Sequence, residues 1–189
     1  MNTSELEEIL EGGTETQSIE FKGACTWNLD TFLKHILAMA NVRDGGHIII
    51  GVDEGEDGTY VRTGVSEEQR DSYKIDDIRD QVAPFADPHV NFSIGFPEDT
   101  QGKQYCLIRV LQFDEVPVIC RKDSVKTNKG CIYYRSRDRR AESVSVSNSY
   151  DMRDILIDAT VKMMQKLKER GFEVVNGDKH KLDEELNGL

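Results

Sequence analysis

"HIIIGVD", residues 47–53, is the stretch whose reading decides the fold. Three successive isoleucines leave no polar face, so a strand here must be covered on both sides, as in the centre of a sheet. "DGG" at 44–46 turns the chain into it, and the acidic, glycine-rich "EGEDG" at 54–58 follows it. Just upstream, Leu29, Phe32, Leu33, Ile36, Leu37 and Ala40 recur at three- and four-residue steps, the pattern of an amphipathic helix capped by Asn28 or Asp30. His35 lies opposite that stripe and reads as a structural or surface residue. Further upstream, "ETQSIEFKG" at 15–23 alternates, with Ile19 and Phe21 on one face of a strand and Glu20 and Lys22 on the other. Ser4 with Glu7 suggests a capping box for a short helix over Glu5–Leu10, broken at Gly12 and Gly13.

Downstream, Ser66 with Gln69 opens a helix that Pro84 must end. The pattern then becomes β: Val90, Phe92, Ile94 and Phe96 alternate, and "QYCLIRVLQF", "VPVIC" and "CIYYR" supply further strands. A closing amphipathic helix is expected from Tyr150 to about Lys168, with Ile155, Leu156, Ala159, Met163 and Leu167 as its core-facing stripe. Residues 171–189 are of mixed charge without periodicity and read as a loose tail. There is no internal repeat and no Pro- or Ser-rich linker. The expectation is an N-terminal helix over 1–12 and a single α+β domain over 13–170.

At 189 residues the chain is long enough to bury a core, and no apolar run nears the ~18 residues of a membrane helix. The acidic start "MNTSELEEIL" carries no secretion signal, and a cytoplasmic location is expected. Cys25, Cys106, Cys120 and Cys131 form no Cys-x-x-Cys pair, which favours reduced thiols over zinc ligands or disulfides.

The net charge of −11 argues at first sight against a nucleic-acid partner. Its distribution argues otherwise. From Arg121 to Arg140 there are eight basic and two acidic residues, a local +6 that leaves −17 elsewhere. Arg121, Lys122, Lys126, Lys129, Arg135, Arg137, Arg139 and Arg140 are candidates for backbone binding, with Tyr133 and Tyr134 as candidate stacking platforms. The alternative is a solvated hairpin that pairs with the acidic remainder. That acidic remainder is itself a candidate docking surface for a protein partner.

Among familiar chemistries, the phosphate loop G-x-x-x-x-G-K-[ST], the dinucleotide fingerprint, the G-x-S-x-G elbow and H-E-x-x-H are all missing from the sequence. A carboxylate constellation remains. Glu15 and Glu20 flank the start of one strand and Asp53 ends another. If the two strands pair, ~4.8 Å apart, Glu20 and Asp53 converge. Clustered oxygens suit Mg²⁺ or Mn²⁺, which orient water and stabilise charge on a phosphate. Lys22, on the face of Glu20, would contact the phosphate. The alternative is a polar strand edge with exposed acids.

The set "ETQSIEFKG", "ILAMANVRDGGHIIIGVDEG", "KIDDIRDQVAPFADPHV" and "KGCIYYRSRDRRA", in that order from about residue 13 to 157, resembles the Schlafen AlbA-type domain. The resemblance implies an α+β fold with a mixed sheet and packed helices, and nucleic-acid binding. Bacterial relatives imply a DNA-binding regulator or an ATP-binding module. The animal Schlafens imply a divalent-metal-dependent endoribonuclease acting on structured RNA such as tRNA. There the acids of E-x-x-x-x-E-x-K and G-V-D match Glu15, Glu20 and Asp53 as metal ligands, with Lys22 as the lysine. Those proteins build an RNA groove from two lobes, so this chain is expected to form a homodimer.

Overall fold

The computed structural model describes residues 2–55, 58–136 and 141–172. In chain order its elements are α1 (Thr3–Gly12), β1 (Ile19–Lys22), α2 (Leu29–Met39), β2 (Gly46–Ile50), β3 (Val52–Glu54), β4 (Tyr60–Arg62), α3 (Glu67–Asp71), α4 (Ile75–Val82), β5 (Ala86–Asp87), β6 (Phe92–Gly95), β7 (Cys106–Val110), β8 (Ile119–Cys120), β9 (Tyr133–Ser136), β10 (Glu142–Ser145) and α5 (Ser149–Glu169). The main sheet has the order β1-β2-β7-β6, with β1 parallel to β2 and the other pairs antiparallel. The fold is therefore α+β around a mixed sheet.

β2 reads as a continuous apolar run because helices cover both sheet faces. Ile48 and Ile50, with Cys106, Ile108 and Val110, pack with Phe32, Leu33, Ile36 and Leu37 of α2. Ile49 and Leu107 point the other way, with Phe21, onto Leu6 and Leu10 of α1. Phe21 takes the α1 side, so strand parity sends Glu20 and Lys22 to the α2 side. That one alternation positions the site described below.

The 47–53 stretch is two strands rather than one. Gly51, at φ 109°, turns β3 out of the sheet to pair with β4. A Cβ at Gly51 would lie 2.8 Å from the backbone of Gly64, so the crossing needs glycine.

α1 starts earlier than expected, capped by Asn2 and Glu5 rather than Ser4 and Glu7. Glu7 instead accepts from Arg62 (2.8 Å) and from the Thr100 amide (2.7 Å), fastening α1 to the body. Asn28 caps α2, and Ser66 with Gln69 opens α3. The helix expected up to Pro84 is broken in two, because Tyr73 is drawn into the core and donates to the Cys25 carbonyl at 2.9 Å. Pro84 sits in a 3-10 turn, Ala83–Phe85.

Asn41, fully buried, donates to the carbonyls of Leu37, Val118 and Tyr133 and accepts from the Val118 amide. It pins the end of α2 to β9 and to the segment before β8. β10, a strand not expected, pairs antiparallel with β9, and this hairpin packs on α2. α5 covers the expected range, but its stripe is not core as expected. Ile155 is buried, whereas Leu156, Met163 and Leu167 are exposed. Ion pairs of Asp158 with Arg43 (2.6 Å) and Lys166 with Asp114 (2.8 Å) hold it. All four cysteines are free thiols. Among the described residues no helix is long and apolar enough to cross a membrane. Of the expected tail, residues 173–189 lie outside the described residues.

Candidate functional site

Glu20 and Lys22 project from the β1 edge of the sheet beneath α2. His35 comes down from the polar side of α2, and Arg135 and Ser143 arrive from the β9–β10 hairpin. Lys22 donates to Glu20 Oε1, and Arg135 Nη1 donates to Glu20 Oε2. Glu20 is 3 % exposed and Arg135 0 %, a burial that charged groups tolerate only when paired. Arg135 Nη2 also donates to the carbonyls of Thr16 (2.9 Å) and Ile19 (3.0 Å), tying the hairpin to the chain entering β1.

His35 Nδ1 lies 3.0 Å from Ser143 Oγ and 3.2 Å from Glu20 Oε1. A carboxylate only accepts, so we assign the ring proton to Nδ1 and leave Nε2 as the acceptor. Burial, and then the charges of Lys22, Arg135, Lys34 and Lys126, push the imidazole pKa down to about 2. Glu20 also faces the ring, but its charge is already taken up by Arg135 and Lys22. Glu15 accepts from the Phe21 amide at 3.0 Å. Its pKa is raised, by burial first and by the Glu20 charge second.

The structure thus brings Glu15, Glu20 and Lys22 together. Asp53 sits beside Gly23, where any Cβ would collide with its Oδ1. Among the described residues Asp53 makes no hydrogen bond or ion pair. A divalent cation would need free, grouped carboxylate oxygens. Both Glu20 oxygens are held by cations, and among the described residues no three His, Cys, Asp or Glu side chains group to hold a metal ion. In this arrangement Glu15, Glu20 and Asp53 do not fit Mg²⁺ or Mn²⁺.

The expected basic surface divides. Arg121, Lys122, Lys126 and Lys129 are exposed on the loop before β9. That loop is shaped by Asp123, which accepts from the Lys129 amide (2.8 Å), and by a Ser124–Thr127 hydroxyl pair (2.8 Å). Lys122 lies 5.4 Å above the Phe85 ring. Arg135 is no part of a surface, and neither Tyr133 nor Tyr134 is a stacking platform, because both rings are buried. The Tyr134 hydroxyl accepts from Gln17 at 2.8 Å and the Tyr133 hydroxyl from the Asn128 amide at 2.8 Å. Arg137, Arg139 and Arg140 lie outside the described residues.

The sequence reading sets His35 aside as a structural or surface residue and does not single out Lys34 or Ser143. The available signal was a histidine on the polar side of α2, the side that must meet the charged face of "IEFK". Nothing in the sequence places Ser143, because β10 itself is not evident there.

A family model described as Schlafen, AlbA_2 matches residues 15–143. Among solved structures, the N-terminal domain of a RecG-related protein from Nitrosomonas europaea is 18 % identical with a TM-score of 0.51, over 79 % of this chain and 97 % of that one. The DIP2311 protein from Corynebacterium diphtheriae is 17 % identical with a TM-score of 0.49, over 80 % of this chain. This chain spans 27 % of the length of DIP2311. No curated protein matches the chain.

Proposed function

Because the chain belongs to the Schlafen, AlbA_2 family, we propose that it binds nucleic acid through the phosphate backbone at a cationic patch centred on His35. One observation carries this reading. Four cations from separate parts of the chain (Lys22 of β1, Lys34 of α2, Lys126 of the loop before β9 and Arg135 of β9) act on one neutral imidazole. Against them stand the carboxylates of Glu20, which Lys22 and Arg135 already hold, and of Glu15, whose pKa is raised by burial first and then by the Glu20 charge. In a chain of net charge −11 this is a local reversal of sign, suited to steering a polyanion.

Lys22 and Arg135 are committed to Glu20. The side chains of Lys34 and Lys126 make no ion pair among the described residues, and so have their charge to offer a phosphate. Arg121, Lys122 and Lys129 extend the patch along the loop. Glu20 fixes Lys22 and Arg135 in place and lies 3.2 Å from the ring Nδ1. Cleavage through Mg²⁺ or Mn²⁺ is not part of this reading, because cations hold both oxygens of the Glu20 carboxylate.

The test is binding of labelled single-stranded RNA and DNA across a salt series, with wild type beside the Lys34→Gln/Lys126→Gln double variant. The log–log slope is expected to be shallower in the variant by about 0.7 for each phosphate it no longer neutralises, roughly 1.4 for the pair. Binding that ignores salt, or an unchanged slope in the double variant, would contradict the proposal. The same RNA incubated with Mg²⁺, Mn²⁺ or EDTA is expected to stay intact. Metal-dependent cleavage that Glu20→Gln abolishes would put a nuclease in place of the binder.

A further inference from the structure

We infer that the exposed face of α5 pairs, antiparallel, with the same face of a second copy of this chain. The helix is inverted for a surface element. Its body side carries Ile155 and Ala159 against the core and is otherwise polar: Asp158 accepts from Arg43 and from Gln112, Lys166 donates to Asp114 and Glu115, and Lys162 stands 6.0 Å above the Phe113 ring. Its solvent side is apolar, with Leu156, Ile157, Val161, Met163, Met164 and Leu167 each 39–53 % exposed. At about 100° per residue these six fall in one sector of roughly 160°. No charged residue between positions 156 and 167 falls within it. A water-facing helix whose apolar stripe points outward, uncovered among the described residues, is a surface suited to a partner.

Charge at the two ends selects the occupant. Asp154 and Lys168 border the same edge of the sector, with Val161 midway between them. In an antiparallel pair with its two-fold axis at Val161, Asp154 meets Lys168 of the second copy. Parallel pairing would instead put the Asp154 residues of the two copies on opposite flanks of the seam and leave this complementarity unused. The shape agrees with the antiparallel arrangement. A cleft of about 200 Å³ lined by Glu115, Met163, Lys166, Leu167 and Arg170 opens where the antiparallel register delivers Leu156 of the second copy. A seam of one helix is small against the ~800 Å² per partner of a standard interface, so the dimer is expected to dissociate on dilution.

Sedimentation equilibrium of the full chain over a dilution series tests this. Wild type is expected to show a monomer–dimer equilibrium. Val161→Glu sets two carboxylates on the axis and is expected to be monomeric, with an unchanged circular dichroism spectrum because Val161 is 47 % exposed. Asp154→Lys is expected to weaken the dimer at least about tenfold, and Lys168→Asp added to it is expected to restore the affinity. That rescue is specific to the antiparallel copy. A wild type that stays monomeric, a dimer that survives Val161→Glu, or a double variant no tighter than Asp154→Lys would each overturn the inference. A monomer in which Met163 and Met164 resist oxidation would overturn it too, and would assign the face to another segment of the same chain.

Discussion

Lys126 and Arg135 stand in the same basic run, yet Lys126 is exposed on a loop and Arg135 is 0 % exposed beneath α2. The loop cations make no ion pair among the described residues, and apart from Lys122 over the Phe85 ring their heads are left to water and ligands. Arg135 sits on β9, whose hairpin packs on α2, and there a guanidinium must find a carboxylate. It finds Glu20. One stretch of like charge therefore holds two kinds of residue: cations that offer a surface, and one cation that builds the floor beneath it.

Substitution separates the two. Arg135→Met leaves the Glu20 carboxylate buried and under-neutralised, and is expected to cost about 3–5 kcal/mol of stability. Adding Glu20→Gln to it is expected to recover a large part, since replacing both members of a buried pair is far cheaper than removing one. Urea unfolding of the two variants reads this directly. Equal destabilisation of single and double variants would mean that Arg135 acts through packing alone.

His35 is expected to give the next largest effect. Its folded pKa is depressed to about 2 from an ordinary 6.5, so the unfolded chain takes up a proton in that interval that the folded chain refuses. Stability is therefore full above about 6.5 and falls as the pH drops, by about 1.4 kcal/mol per pH unit for this one group. Burial sets this first, and then the charges of Lys22, Arg135, Lys34 and Lys126, while Glu20 and Ser143 face the ring. His35→Gln is expected to remove that slope from a series of urea midpoints against pH.

Glu15 works in the opposite sense. Its pKa is raised, so the folded state holds its proton longer, and this contribution is lost as pH rises through the folded value. Glu15→Gln keeps an acceptor for the Phe21 amide and, with that opposing contribution gone, is expected to steepen the fall in stability on the acid side of the same pH series. The smallest effect belongs to the loop. Lys126→Gln is expected to change stability by no more than about 0.5 kcal/mol, its consequence being confined to binding.

Much of the frame was legible in the sequence. Alternation in "IEFK", the α2 stripe and the Asn28 cap are local, and each forms as its residues predict. What was not legible depends on distant contacts. Gly51 breaks the 47–53 strand because Gly64 crosses it, and no period within "HIIIGVD" records that crossing. Tyr73 divides a helix because it turns into the core, where its hydroxyl meets the Cys25 carbonyl. The helical repeat of α5 was plain, but its buried side was set by Arg43 and Asp114, far away in the chain. The site follows the same rule. Glu20 and Lys22 stood out from their spacing, as did the idea that the carboxylate needs company. That its company is Arg135 and His35, rather than Asp53 and a metal ion, depends on which elements lie over β1.

The most direct measurement is nitrogen-detected NMR of the His35 ring, titrated with pH and then with single-stranded RNA at low and high salt. The imidazole is expected to stay neutral, protonated on Nδ1, well below the ordinary histidine range. Its ring signals are expected to shift on adding RNA at low salt and to return at high salt. A ring that titrates near 6.5 and ignores RNA would contradict both the cationic cluster and the interface built on it.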